Sequence, residues 1–378
     1  MAVQRPSFTV GVEEEYFLVD RRTRDLVPDM PEGFLRACEE IVEGLVSPEF
    51  LRSQVEIGTP VSKDIAEVKG HLGSVRRSVA NVADEYGLAI ISASTHPFAQ
   101  WGAQKHTDKT RYNLLAQALQ GVVRRLLICG MHVHVGIDDE DLRIDLMNQV
   151  LYFLPHLLAL STSSPFWHGY DTGLKSYRTS VWRALPRTGM PDEFAGWGEY
   201  RRHVDVLVGA GVIEDATKLW WDIRPSARYP TVELRSTDIC TRIDDGITIA
   251  ALYVSLLAML YRLRLDNQRW RTYSRMLISE NGWRAQRYGI SESLIDFGLG
   301  EPVPFPELVE EIIELVRSDA EELGCLAEVE HARVICRRGT SADQQLVVYN
   351  EALAGGAEPE EAMRAIVDHL IEETVDGL

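Results

Sequence analysis

Val10-Gly11-Val12-Glu13-Glu14-Glu15-Tyr16-Phe17-Leu18-Val19 is the stretch on which the reading of the fold turns. β-Branched and aromatic residues flank its three glutamates, so it reads as a strand and not as a solvated acidic run. Alternation along a strand puts Glu13 and Glu15 on one face and Glu14 on the other. Two carboxylates on one pleat repel each other unless a cation or a shared proton lies between them. A surface edge strand with its charges in water has the same local pattern. Three further stretches repeat the design.

In Leu51-Arg52-Ser53-Gln54-Val55-Glu56-Ile57-Gly58, Arg52, Gln54 and Glu56 share one face, while Leu51, Val55 and Ile57 occupy the other. In Met131-His132-Val133-His134-Val135, the two histidines project together between Gly130 and Gly136. Those glycines leave room for close approach to the backbone. In Thr231-Val232-Glu233-Leu234-Arg235, Glu233 and Arg235 face one way and the aliphatic residues the other. That pair reads either as a salt bridge or as a metal ligand beside an anion-binding guanidinium.

Apolar-in, polar-out alternation is the mark of a half-buried antiparallel sheet with helices on its apolar side, an α+β fold. The wet face is unusual because it offers acids and imidazoles. If the four strands are neighbours, four carboxylates, two imidazoles and an arginine share one pocket, and the carboxylates require cations. An oxygen-rich donor set with a minority of histidine suits Mg²⁺ or Mn²⁺. Hard divalent ions beside arginines suit a nucleoside triphosphate. Neither a P-loop nor a Rossmann glycine motif occurs.

The rest of the chain reads as scaffold around this face. Ile65, Val68, Leu72, Val75, Val79, Val82 and Tyr86 step by three and four behind a Ser62 or Asp64 cap, which predicts a core helix. Leu88 to Ser94 reads as a buried strand leading to His96, a loop histidine with either a structural or a functional role. Asp138 and Asp139 open a long helix through Leu160, with Pro155 predicted to kink it. From Ser161 to Gly198 periodicity vanishes, as in a lid or binding loop. Lys175, Arg178, Arg183 and Arg187 fall there without a carboxylate between Thr172 and Pro191, which reads as an anion clamp or a solvated loop. Asp244-Asp245-Gly246 caps an apolar helix ending near Leu265. Helices over 306–323, 341–353 and 359–376 look like cover for the sheet. The chain is read as one domain, 1–378, whose portion from about 302 is helical.

A net charge of −18 over 378 residues argues against a nucleic-acid surface or an anionic-membrane patch. Five scattered cysteines without a Cys-x-x-Cys pair indicate neither a zinc knuckle nor a disulfide framework. The start lacks a signal-peptide core, and the apolar run Ile247 to Tyr261 is shorter than the roughly 20 residues that span a bilayer. A cytoplasmic protein is the expectation.

Gly11-Val12-Glu13-Glu14-Glu15, Gln54-Val55-Glu56, Met131-His132-Val133-His134 and Val232-Glu233-Leu234-Arg235 occur in the order and approximate spacing of the family-2 glutamate–cysteine ligase-like carboxylate–amine ligases. Thr95-His96-Pro97, Ser176-Tyr177-Arg178, Trp221-Asp222-Ile223-Arg224-Pro225 and Trp283-Arg284-Ala285 also resemble that family. The resemblance implies a curved antiparallel sheet like the glutamine synthetase catalytic domain, its active-site face open and helices packed on the other. It implies ATP-dependent amide formation through an acyl phosphate, with Mg²⁺ or Mn²⁺. By position, Glu13, Glu15, Glu56, His132 and Glu233 resemble metal ligands. Arg235 resembles the arginine that meets the transferring phosphoryl group, and Arg224 a second nucleotide contact. Arg178 resembles a holder of the substrate carboxylate, with His134 and Gln54 on the substrate side. His134 stands where larger bacterial glutamate–cysteine ligases carry an asparagine-like partner, so both ligand and substrate contact stay open for it. Glutamate is the default acid and the amine, such as cysteine, is unassigned. Small-molecule substrates and a homodimer are the expected partners. The rivals are an iron oxygenase using His132, His134 and a carboxylate, a phosphotransferase of the same fold, and a non-catalytic nucleotide-binding relative.

Overall fold

The computed structural model describes residues 5–378. The glutamate-rich stretch is the strand β1, Val10–Asp20. The others of its sheet are β2 (Val46–Pro48), β3 (Gln54–Gly58), β4 (Leu88–Ile91), β5 (Met131–Gly136), β6 (Ile223–Pro225) and β7 (Thr231–Leu234). Their order is β6-β7-β5-β1-β3-β2, with β4 paired to the C-terminal end of β1. Every pairing is antiparallel. The four stretches singled out from the sequence are therefore consecutive: β7, β5, β1 and β3.

Register decides what shares a face, because directly opposed residues project to the same side. Glu13 opposes His132, Gly11 opposes His134, and Glu15 opposes Glu56. Glu233 opposes His134 on one side and Arg224 on the other. Val12, Tyr16, Val55, Val133, Val135, Val232 and Leu234 project from the opposite face and are buried. Four helices cover that face: α1 (Ile65–Glu85), α2 (Glu140–Val150), α3 (Ile243–Leu265) and α4 (Pro359–Val375). One apolar core runs from Phe8 to Leu370.

Glu14 is the exception on the apolar face. It is buried against Arg76 of α1, whose Nη2 reaches both carboxylate oxygens at 2.7 Å and whose Nε stands 3.2 Å from one of them. The Tyr16 hydroxyl donates to the same carboxylate, and burial with the neighbouring Glu14 charge pushes the phenol's pKa up. The i, i+3/i+4 stripe of α1 is buried from Ile65 to Val82 as the spacing predicts, whereas Tyr86 follows the helix end and is exposed, and Asp64 caps the helix by accepting from the Glu67 amide at 2.9 Å.

Several boundaries differ from the sequence reading. Pro155 does not kink a continuous helix: α2 ends at Val150, a tight turn fills Leu151–Phe153, and Pro155 stands in the first turn of a new helix, Leu154–Ser161. Its missing amide hydrogen goes unneeded there. α3 starts at Ile243, so Asp244 and Asp245 lie inside its first turn, where the helix dipole favours acids. It is long and apolar enough to cross a membrane, yet 89% of its most apolar window is buried inside the protein. The aperiodic stretch 161–198 holds short pieces, among them a helix at Tyr177–Trp182. Helices at Trp197–Gly209 and Leu326–Glu330 followed by Ala332–Arg338 have no counterpart in the sequence reading.

Candidate active site

The wet face of β7, β5, β1 and β3 forms the floor of a cavity of about 300 Å³. Glu13, Glu15, Glu56, His132, His134, Glu233, Arg224 and Arg235 all line it. Distant parts of the chain thus converge on one surface, each side chain on the face that alternation gives it.

At the centre, His132 Nδ1 lies 3.2 Å from Glu13 Oε2 and His134 Nε2 lies 3.6 Å from Glu13 Oε1. Burial opposes ionisation of Glu13, but the hydrogen bond to His132 and the neighbouring His134 ring hold its carboxyl well below the usual range. Burial and the Arg235 charge push His132 down to about 4, so the ring is neutral at pH 7 and donates Nδ1–H to Glu13. The lone pair is then on Nε2, the arrangement of a histidine oriented by a carboxylate for metal binding. His134 Nδ1 is 2.9 Å from the Thr231 hydroxyl, and its buried Nε2 has no hydrogen-bond partner.

On the β3 side the charges are all of one sign. Glu15 opposes Glu56, and its carboxylate accepts from the Gly130 amide at 2.8 Å. Burial and then the Glu56 charge push Glu15 up to about 7. Burial, then Glu49 and Glu13, push Glu56 up to about 8. Glu49 hydrogen-bonds to Glu56 and lines the cavity as a further acid. Sequence reasoning missed Glu49, because it follows the three-residue β2 and belongs to no alternating run.

Among the described residues no three His, Cys, Asp or Glu side chains are drawn together tightly enough to hold a cation as placed. The donor chemistry nevertheless fits a hard divalent ion. Crowded carboxylates stay protonated near neutral pH without one, and an orphaned imidazole nitrogen waits beside them.

The β7 side is basic. Glu233 is gripped by Arg224, Nε to Oε2 at 2.9 Å and Nη2 to Oε1 at 3.0 Å, and by Arg235. Burial opposes its ionisation, yet the Arg235 and Arg224 charges hold Glu233 well below the carboxylate range. The expected metal ligand is thus paired with two guanidiniums. Arg235 Cζ lies 5.6 Å from the centre of the Trp182 ring and Arg178 Cζ 5.7 Å from it.

Two expectations need correction, those for Gln54 and for the basic segment, and Arg178 is placed apart from the other site residues. Gln54 sits on the wet face but does not line the cavity: the segment before β5 covers it, and its amide donates to the Ile128 carbonyl at 2.7 Å. Arg178 lines a smaller cleft beyond Trp182, not the main cavity. The basic segment is not a joint clamp. Lys175 pairs with Asp343 at 2.6 Å, and Arg187 donates to the Lys218 carbonyl at 3.0 Å over the Trp220 ring. His96 is structural. Its buried ring bonds to the Arg24 carbonyl at 2.9 Å and accepts from the Ala99 amide at 3.0 Å.

The family model for glutamate–cysteine ligase family 2 (GCS2) matches residues 9–369. The chain belongs to glutamate–cysteine ligase family 2. A Rhodospirillum rubrum protein provisionally named glutamate–cysteine ligase 2 is 60% identical over 380 residues, covering 100% of this chain and 98% of that one. A provisionally named glutamate–cysteine ligase 2 of Jannaschia sp. is 53% identical, covering 97% and 96%. Among solved structures, glutamate–cysteine ligase from Francisella tularensis in complex with AMP superposes with a TM-score of 0.69 at 12% identity, covering 99% of this chain and 90% of that one. A bifunctional glutathione synthetase from Pasteurella multocida gives 0.68 at 13% identity, covering 98% of this chain and 53% of that one. The fold is the glutamine synthetase-like ligase fold, and this family-2 chain is an ATP-dependent carboxylate–amine ligase.

Proposed function

We propose that this ligase uses ATP to activate the side-chain carboxylate of glutamate as an acyl phosphate, which an amine such as cysteine then converts to an amide. The observation that carries the reading is the division of one cavity into an acid-and-imidazole half and a guanidinium half, with Glu13 and Glu233 at their junction. Glu13, Glu15, Glu56 and His132 are the residues that would hold Mg²⁺ or Mn²⁺, with Glu49 and His134 within the same wall. Such an ion, when bound, neutralises phosphate oxygens and lets the crowded carboxylates ionise.

The chain's own residues do the rest. Arg235 and Arg224, oriented by Glu233, offer preorganised charge to the phosphates, where it counts most in a site walled from water. A carboxylate oxygen of the acid attacks the γ-phosphorus and ADP leaves. The amine then attacks the acyl carbon, phosphate leaves, and the amine gives up a proton. Trp182 and Leu185, from the irregular segment after Ser161, wall the cavity and limit hydrolysis of the mixed anhydride.

The test is incubation with ATP, Mg²⁺, glutamate and a panel of amines, following phosphate release and amide by mass spectrometry. Glutamate-dependent phosphate release with amide supports the reading. A phosphorylated product released intact, with no amide from any amine, would instead identify a phosphotransferase of this fold.

A further inference from the structure

Two irregular stretches of chain wall the main cavity, and they are held in different ways. The first is the segment after Ser161, which supplies Trp182 and Leu185. Buried polar contacts fix it to the body. Asp238 accepts from the Ser163 amide at 2.9 Å, the Ser164 hydroxyl at 2.7 Å and the Ser176 hydroxyl at 2.8 Å. The Lys175 and Ser176 amides both donate to the Gln286 carbonyl, and Lys175 Nζ reaches Asp343 at 2.6 Å. Trp182 Nε1 donates to the Trp220 carbonyl at 3.2 Å. Lifting this wall would strand several buried polar groups, so it is the fixed one.

The second stretch is 101–126, which supplies Tyr112, Leu119 and Leu126. Among the described residues between Ala99 and Leu127, only Val123 is buried. The helix of this stretch, Thr110–Leu119, packs mainly on the turn Val123–Arg125 that follows it, and the chain reverses at Gln120 (φ 49°) and Gly121. Its root is fastened. The Arg52 amide donates to the Lys105 carbonyl at 3.0 Å and the Thr107 amide to the Phe50 carbonyl at 2.7 Å, while the His106 ring stacks on Phe50. The Thr107 hydroxyl donates to the Glu49 carbonyl at 2.6 Å. Beyond the root, the Tyr112 ring stands edge-on to Phe50 at 5.6 Å and its hydroxyl donates to the Pro48 carbonyl at 3.4 Å. A layer with little buried surface and a fastened root loses few contacts on opening and returns to the same place.

We propose that residues 108–125 are the hinged cover of this active site, swinging away from Phe50 to admit substrate to the acid half and settling back to keep water from the acyl phosphate. The inference rests on the ligase reading and assigns the moving wall to a stretch other than the one after Ser161. The leak through an open cover has a defined chemistry. Water attacks the acyl carbon in place of the amine, phosphate leaves and the starting acid is regenerated, so ATP is consumed without amide.

Phosphate released from ATP, Mg²⁺ and glutamate without any amine reads that leak. Hydroxylamine is a neutral nucleophile that traps an activated acid as a hydroxamate whatever the natural amine is, and so reads activation. Thr107→Val unties the root from the Glu49 carbonyl and keeps the Thr107 amide bond. It is expected to raise the leak roughly three- to tenfold, the weight of one hydrogen bond in an opening equilibrium, while hydroxamate formation persists. Thr107→Ser is expected to restore the wild-type leak. Hydrogen exchange read by mass spectrometry locates the moving wall. Amides of Thr110–Leu119 in wild-type protein are expected to exchange roughly tenfold faster than those of 161–182, and a non-hydrolysable ATP analogue with Mg²⁺ and glutamate to slow only the former. Ligand-bound protein, its binding shown by calorimetry, in which Thr110–Leu119 exchanges as in the free protein overturns the inference. So does slowing confined to 161–198, and so does a Thr107→Val protein whose leak and hydroxamate rate fall together. Slowing of Thr110–Leu119 by the analogue without hydroxamate from any acid would leave the cover standing and remove the acyl-phosphate reading instead.

Discussion

Glu14→Gln is the sharpest test of the strand register, because its neighbours Glu13 and Glu15 face the opposite way. Glu14 and Arg76 are both fully buried, with Arg76 Nη2 at 2.7 Å from each carboxylate oxygen. The amide keeps the shape but removes the charge, leaving an uncompensated guanidinium in the core. Arg76 cannot swing to water, since its Nη1 also donates to the Thr241 carbonyl at 2.7 Å beneath α4. Breaking a buried pair by removing one partner costs about 3–5 kcal/mol. The double replacement Glu14→Leu with Arg76→Met is expected to cost less than either single change, because no charge is stranded. Urea unfolding followed by circular dichroism reads the stability, and hydroxamate formation reads turnover. The expected pattern is a destabilised Glu14→Gln that still turns over while folded, beside a Glu13→Gln that is folded and inactive. A Glu14→Gln protein as stable as wild type, or folded and dead while Glu13→Gln works, would refute the register.

Gly130→Ala would place a Cβ 2.4 Å from Arg178 Nη2, so the guanidinium must shift within its packed cleft. A rise of about tenfold in KM for the acid is expected with little change in melting temperature, read by steady-state kinetics and thermal unfolding. Gln54→Met removes a buried donor to the Ile128 carbonyl and should cost about 1–3 kcal/mol in urea unfolding while leaving KM for the acid unchanged. In metal-free protein Glu15 and Glu56 are pushed up to about 7 and 8, so both hold protons below those values. A cation needs their ionised forms, so Mn²⁺ affinity, measured by electron paramagnetic resonance, should rise steadily from pH 6 to pH 9. Stability of the metal-free protein has the opposite sign. The unfolded carboxyls ionise near 4.3 and the folded ones near 7 and 8, so stability is lost as pH rises through that window.

Alternation made the faces legible. Glu13, Glu15, Glu56, His132, His134, Glu233 and Arg235 all lie where a period of two puts them. Adjacency was legible only from the shared chemistry and the family likeness, since pairs such as Glu13 and His132, 119 residues apart, leave no local trace. Periodicity also says nothing of what lies on top of a face. Gln54 has the right parity, but the chain before β5 passes over it. The excess of arginine and lysine in 172–191 gave no hint of partners as remote as Asp343. Arg224 shows the same limit in reverse: its position was legible, its grip on Glu233 was not.

Three consecutive glutamates in a strand with one buried face raise the question of why β1 does not slip by a residue. A one-residue slip would turn Glu13 and Glu15 toward α1 and α3 and set Glu14 and Tyr16 into the cavity. Arg76 could then meet one displaced carboxylate, and the other would be stranded among Val133, Val232 and Leu234 at a cost of several kcal/mol. The cavity would lose the partner of His132. The buried pair between Glu14 and Arg76 therefore sets the register that an all-apolar back face would set less firmly. On this argument the scaffold residue Arg76, on the far side of the sheet from every candidate ligand, fixes where Glu13 and Glu15 point.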